Sequence, residues 1–156
     1  MQWLIGAAVV VGLFALTIDD WGRDFTGTFA EISDDAPQSD LRPFATRRST
    51  AELAEAVRWA ALRIKDWEHV GDSTVDEATT LLFVRTSRIL RFTDDIIVRI
   101  EDRGTNRVLT ATSVARSSWG DLGRNPRNLR RLLVELQDVL DGSSNDPAPL
   151  PGRGLQ

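Results

Sequence analysis

Phe92-Thr93-Asp94-Asp95-Ile96-Ile97-Val98-Arg99, followed after a strand-like run by Ser118-Trp119-Gly120-Asp121-Leu122-Gly123-Arg124-Asn125-Pro126, decides how this chain is read. From Asp95 to Glu101 the residues alternate, with Ile96, Val98 and Ile100 on one face and Ile97 and Arg99 on the other, the two-residue period of a strand. Asp102 to Asn106 reads as a hairpin loop. Val108 to Arg116 is the returning strand, with Val108, Thr110, Thr112, Val114 and Arg116 sharing a face. The two strands are expected to pair antiparallel. The last helix is expected to start at Asn125 as N-cap, with Pro126 at the first helical position, where a missing N–H costs nothing. Leu129, Leu132, Leu133, Leu136 and Val139 supply its apolar stripe, and Asp141-Gly142 ends it.

Working outward, Ala78 to Thr86 is rich in Thr, Leu, Phe and Val and has strand character. Residues 49–70 read as a helix opened by a Ser49–Glu52 capping box and striped by Leu53, Val57, Ala60, Ile64 and Trp67. Gly71 serves as its stop, and His69 falls in its last turn, where a histidine suits the helix dipole. Residues 19–48 are acidic and interrupted by Pro37 and Pro43, the pattern of a linker or a loosely docked arm. Phe25, Phe29 and Ile32 are available to pack on the domain. Residues 142–156, rich in Ser, Asn, Pro and Gly, read as a disordered tail. The fold expected is α+β: a small antiparallel β-sheet covered by two helices over residues 49–141, preceded by one N-terminal transmembrane helix. Leu53, Val57, Ile64, Ile96, Val98, Ile100, Leu129, Leu132 and Leu136 are its expected core.

Residues 1–18 carry no charged side chain. As a helix they would extend roughly 27 Å, close to the apolar thickness of a bilayer. Trp3 and Trp21 bracket the run like interfacial anchors, and Asp19-Asp20 ends it. A cleaved signal peptide fits less well: the start lacks Lys and Arg, and no Ala-x-Ala site follows. A core helix apolar all round would have little protein to bury it. The expectation is an uncleaved anchor through residues 3–18, in contact with the lipid bilayer, with the domain on the extracytoplasmic, periplasmic side.

Composition excludes several chemistries. The 156 residues contain no cysteine, so disulfides, thiolate catalysis and Cys-type metal sites are out. His69 is the only histidine, which leaves no multi-histidine metal site. The net charge of −4 and the lack of a dominant basic stripe argue against nucleic acid. No Gly-rich phosphate loop is present, and no cofactor is implied.

The polar residues of the opening stretch are the candidate site. Asp94 and Asp95 are adjacent, and adjacent side chains on an extended chain point to opposite faces, so a shared proton or metal is disfavoured. One is expected to cap a turn and the other to pair with Arg99 or Arg116. Gly120 and Gly123 bracket Asp121, placed to orient free N–H groups at the helix start. The candidate binding residues are Asp94, Asp95, Arg99, Arg116, Trp119, Asp121 and Asn125. Arg116 is expected to pair with Asp94, Asp95 or Asp121 and so fix the strand-to-helix corner.

At these residues the chain resembles the domain-of-unknown-function 1499 family, whose members show Phe-x-Asp-Asp-x-x-x-Arg and then Ser-x-Ser-Arg-x-Gly-x-x-Asp-Leu-Gly-x-Asn-x-x-Arg. Phe92, Asp94, Asp95 and Arg99 match the first motif, and Ser113, Arg116, Asp121, Leu122, Gly123 and Asn125 the second. Ala115 stands where the family has Ser, Ser118 where it has Gly, and Asn128 where it has Arg, with Arg127 one residue early. The resemblance implies a trimmed polar pocket, if those positions form one. Many relatives are membrane- or lipid-anchored; the resemblance brings no established activity. Together these features point to a membrane-anchored binding, accessory or scaffold module with a membrane-protein partner. The alternative is a hydrolase or small-ligand enzyme using Asp94, Asp95, Arg116 and Asp121, which requires those groups to converge on one pocket.

Overall fold

A computed structural model describes residues 28–88, 91–116 and 123–142. In chain order the elements are β1 (Phe29–Ile32), β2 (Phe44–Thr46), α1 (Thr50–Arg63), β3 (Trp67–Val75), β4 (Ala78–Thr86), β5 (Thr93–Arg103), β6 (Asn106–Ala115) and α2 (Arg124–Gly142). β3 to β6 form an antiparallel meander, and β1 and β2 both pair with the free edge of β6, giving a six-stranded sheet ordered β1-β6-β5-β4-β3 with β2 end to end with β1. α1 lies over β3, β4 and β5, α2 lies over β1 and β6, and the helices touch each other. The architecture is the expected α+β one, with a larger sheet.

Period-two burial explains the layering. On β5, Asp94, Ile96, Val98 and Ile100 are buried under the helices while Ile97 and Arg99 are exposed. On β6 the buried set is Leu109, Ala111, Ser113 and Ala115. All nine residues expected in the core are buried, and Phe83, Leu81, Leu41 and Ile32 join them. The β5–β6 turn is tighter than the expected loop: Arg103 pairs with Asn106, and Gly104 takes a φ of +75° with its N–H donating to the Asp102 carboxylate.

α1 opens as expected. Ser49 accepts from the Glu52 N–H, and the Glu52 carboxylate accepts from the Ser49 N–H at 2.8 Å. It ends earlier than expected, at Arg63. Ile64 is extended, Asp66 takes a φ of +69°, and Trp67 begins an edge strand. His69 is therefore not a helix-dipole residue. It lies opposite Phe83, with ring centroids 5.2 Å apart, and its Nε2 is 2.6 Å from Asp72. Gly71 is not a helix stop but sits at a register shift in β3. The stretch read as an acidic linker supplies β1 and β2 from residue 28 onward, and between them Leu41 is wholly buried. The expected span through residues 3–18 and the expected tail after residue 142 lie outside the described residues.

Arg58 of α1 straps the helix to this edge by donating to Asp72 at 2.6 and 3.1 Å. Partial burial pushes the Asp72 carboxyl up, but hydrogen bonds from Arg58 and His69 outweigh it and hold the group below the usual carboxylate range. A depressed folded-state value means that the stabilisation is present above the unfolded aspartate value of about 3.9 and is lost as pH falls through the folded value. An NMR titration should find the Asp72 midpoint below that of a model peptide, and Arg58→Ala should move it upward. A midpoint unchanged by Arg58→Ala would mean that the strap does not exist in solution.

Candidate functional site: a buried polar network under the second helix

β5 brings Asp94 to the end of the sheet on the helix-covered face, and Asp95, one residue on, to the opposite face. Asp94 is 1% exposed. A carboxylate that deep requires partners, and three surround it. Arg124, the first residue of α2, donates from Nη2 at 3.2 Å and from Nε at 3.5 Å. Arg85, directly across the ladder on β4, approaches to 3.4 Å. Asn128, one turn further along α2, donates from Nδ2 at 3.2 Å. Phe92 lies 4.3 Å from the Arg124 guanidinium carbon and fixes its plane by a cation–π contact.

The network continues across α2. Asn128 Nδ2 also reaches Ser113 Oγ at 3.2 Å, Ser113 donates to Asn125 Oδ1 at 2.7 Å, and Asn125 Nδ2 donates to the Thr28 carbonyl at 2.8 Å. Asn125 is wholly buried. The expected cap is thus corrected: the first helical residue is Arg124 rather than Pro126, two residues earlier, after Gly123 at a φ of +70°, and the Asn125 side chain bridges β6 to the chain entering β1. Pro126 remains within the first turn, where no intrahelical acceptor exists for an N–H.

The other candidate residues are dispersed. Asp95 accepts a two-pronged pair from Arg116, at 2.7 and 2.9 Å, but the two side chains are 38% and 57% exposed. This partnership was among those expected, but its exposure means that it does not lock the corner. The Asp95 carboxylate pulls the Arg116 guanidinium further above its ordinary value, through hydrogen bonding first and charge second. Arg99 pairs with Glu101 at 2.9 Å rather than with either aspartate. Trp119 and Asp121 lie outside the described residues. Arg116→Ala is expected to leave the urea midpoint unchanged, because exposed pairs contribute little; a clear loss would place Arg116 in the buried framework.

Arg124, Arg85 and Asn128 were missed as partners of Asp94, although the signal was present. Asp94 is in phase with Ile96, Val98 and Ile100, so the same alternation that buries them buries it, provided the strand begins at Thr93 rather than Asp95. Asn128 stands where the resembled motif has Arg, and here it spans Asp94 and Ser113.

Among the described residues, no group of three or more His, Asp or Glu side chains is placed to hold a metal ion. Beside the network, between the α1–β3 junction and the flank of α2, lies a cleft of about 690 Å³ whose wall includes Arg85 and Arg124. The network can therefore do two things: hold α2 on the sheet, and present guanidinium groups to that cleft.

A protein-family model described as "Protein of unknown function (DUF1499)" matches residues 25–136. No curated protein sequence matches the chain. Among solved structures, the 1.9 Å crystal structure of the Saccharomyces cerevisiae Ran-binding protein Mog1p is similar, with 14% identity and a TM-score of 0.36, over 76% of this chain and 77% of that one.

Proposed function

This chain belongs to the DUF1499 family, and we propose that it is a single-pass, membrane-held binding module, an accessory or scaffold for a membrane or envelope complex with its domain on the extracytoplasmic side. The observation that carries the binding reading is the commitment of both motif aspartates to arginines on opposite faces of one strand: Asp94 to Arg124 and Arg85 in the interior, Asp95 to Arg116 at the surface. A hydrolase using Asp94, Asp95, Arg116 and Asp121 needs its carboxylates in one pocket. The separation of the first two supports the binding reading instead.

The membrane part rests on the uncharged run at residues 1–18. Among the described residues no helix is long and apolar enough to cross a membrane. Among the described residues the sheet begins at Phe29, eleven positions after the end of the uncharged run at residue 18. The test is purification from carbonate-washed native membranes after cross-linking. The expected result is a protein retaining its N-terminal peptide, together with a co-purifying membrane protein. A mature N-terminus between residues 15 and 35 would contradict the anchor, and a chain recovered without any partner would contradict the accessory role.

A further inference from the structure

The cleft beside the network is cationic in a chain whose net charge is −4. Lys65, Arg85, Arg124, Arg127, Arg130 and Arg131 line it, against two carboxylates, Asp66 and Glu135. Some of this charge is met locally: Arg131 pairs with Glu135, and Arg130 with Asp40. On the inner wall it is not balanced, because Arg85 and Arg124 share the single carboxylate of Asp94.

Two residues of the lining also carry an unmet hydrogen-bond donor. Arg124 Nη1 and Trp67 Nε1 are both buried from solvent without an acceptor. The Arg124 side chain is 9% exposed. A buried donor left without an acceptor is costly and uncommon, and an oxygen-rich ligand relieves that cost. Apart from Asn128 the remaining wall is apolar, with Ile64, the Trp67 ring and Val134 beside the charged groups.

We propose that this cleft binds an oxyanion head group, a phosphate or carboxylate, attached to an apolar body. Lys65 and the α2 arginines surround the anion's charge, and a side-chain rotation of Arg124 and Trp67 uncovers Nη1 and Nε1 to its oxygens; the apolar part lies along Ile64 and Val134. Arginine forks suit such planar or tetrahedral oxyanions. This deepens the binding-module reading and names the class of ligand. The same chemistry is offered by a soluble phosphorylated or carboxylated molecule and by an anionic lipid head group.

The experiment follows the Trp67 indole N–H by NMR in the full chain, held in neutral detergent, with Trp67→Phe identifying the resonance. The probes are inorganic phosphate, hexanoate, dihexanoyl phosphatidylglycerol and, as the control without net charge, dihexanoyl phosphatidylcholine. At least one anionic probe should shift the Trp67 resonance. The surface variant Lys65→Glu/Arg131→Glu, which leaves Asp94 and Arg124 in place, should weaken that response at least about tenfold, the effect of losing one or two charge-assisted contacts. Tighter binding of phosphatidylglycerol than of phosphate or hexanoate assigns a lipid head group, and the reverse order assigns a soluble anion. An indole unmoved by every anionic probe, a response equal for phosphatidylcholine, or one unchanged in the charge-reversed variant overturns the assignment. None of these outcomes touches the cross-linked membrane partner, which is read separately.

Discussion

Asp94→Ala is expected to destabilise the fold by about 3–5 kcal/mol, the usual cost of removing one member of a buried ion pair. The substitution leaves the Arg124 guanidinium, 9% exposed, without its carboxylate, and takes an acceptor from Asn128 and Arg85. A domain of this kind has about 5–15 kcal/mol in total, so the loss consumes much of its margin. Urea denaturation measures it directly. Asp94→Asn should fall between wild type and Asp94→Ala, because an amide oxygen still accepts one hydrogen bond but carries no charge. The neighbouring Asp95→Ala should change the midpoint little, since that carboxylate faces solvent with Arg116. Two adjacent residues of the same type thus differ in effect because the strand turns one inward and the other outward.

Leu132→Ala is the second large effect, expected at about 2–5 kcal/mol. Leu132 has no exposed surface and belongs to the cluster that joins α2 to the sheet and to α1. Truncation removes apolar contacts and leaves a cavity that the helix relieves only by moving toward β6. Such a movement strains the Asn125 and Asn128 hydrogen bonds, so the loss should be accompanied by shifted Ser113 and Asn125 resonances. A cost below about 0.5 kcal/mol would mean that the face of α2 is misassigned.

Where burial alternates strongly, the sequence was readable. β4 occupies the expected Ala78–Thr86, and β5 and β6 pair around Gly104 as their alternation required. The first four residues of β3 were read as a continuation of α1 because β3 is an edge strand with no buried residue, and so carries no alternation of apolar and polar positions. Trp67 fell on the helical stripe by spacing, but the chain leaves the helix at Ile64, which is extended, three residues before Trp67. β1 and β2, four and three residues long, owe their strand character to pairing with β6, a contact that no local pattern announces. In the site, the opposite orientation of Asp94 and Asp95 followed from strand geometry alone. The identity of the buried partner did not, because Arg124 enters from a helix thirty residues away.

The assignment of Asp94 and Arg124 as the interior tie between sheet and helix is tested most directly by a double-mutant cycle of Asp94→Asn with Arg124→Gln, run beside the cycle of Asp95→Asn with Arg116→Gln. Residues sharing one hydrogen-bonded network couple by about 0.5–3 kcal/mol. The expected result is coupling in the upper half of that range for Asp94 with Arg124, and coupling indistinguishable from zero for Asp95 with Arg116. Coupling absent from the first pair and present in the second would contradict the interior network and move the structural role of the motif to its solvent face.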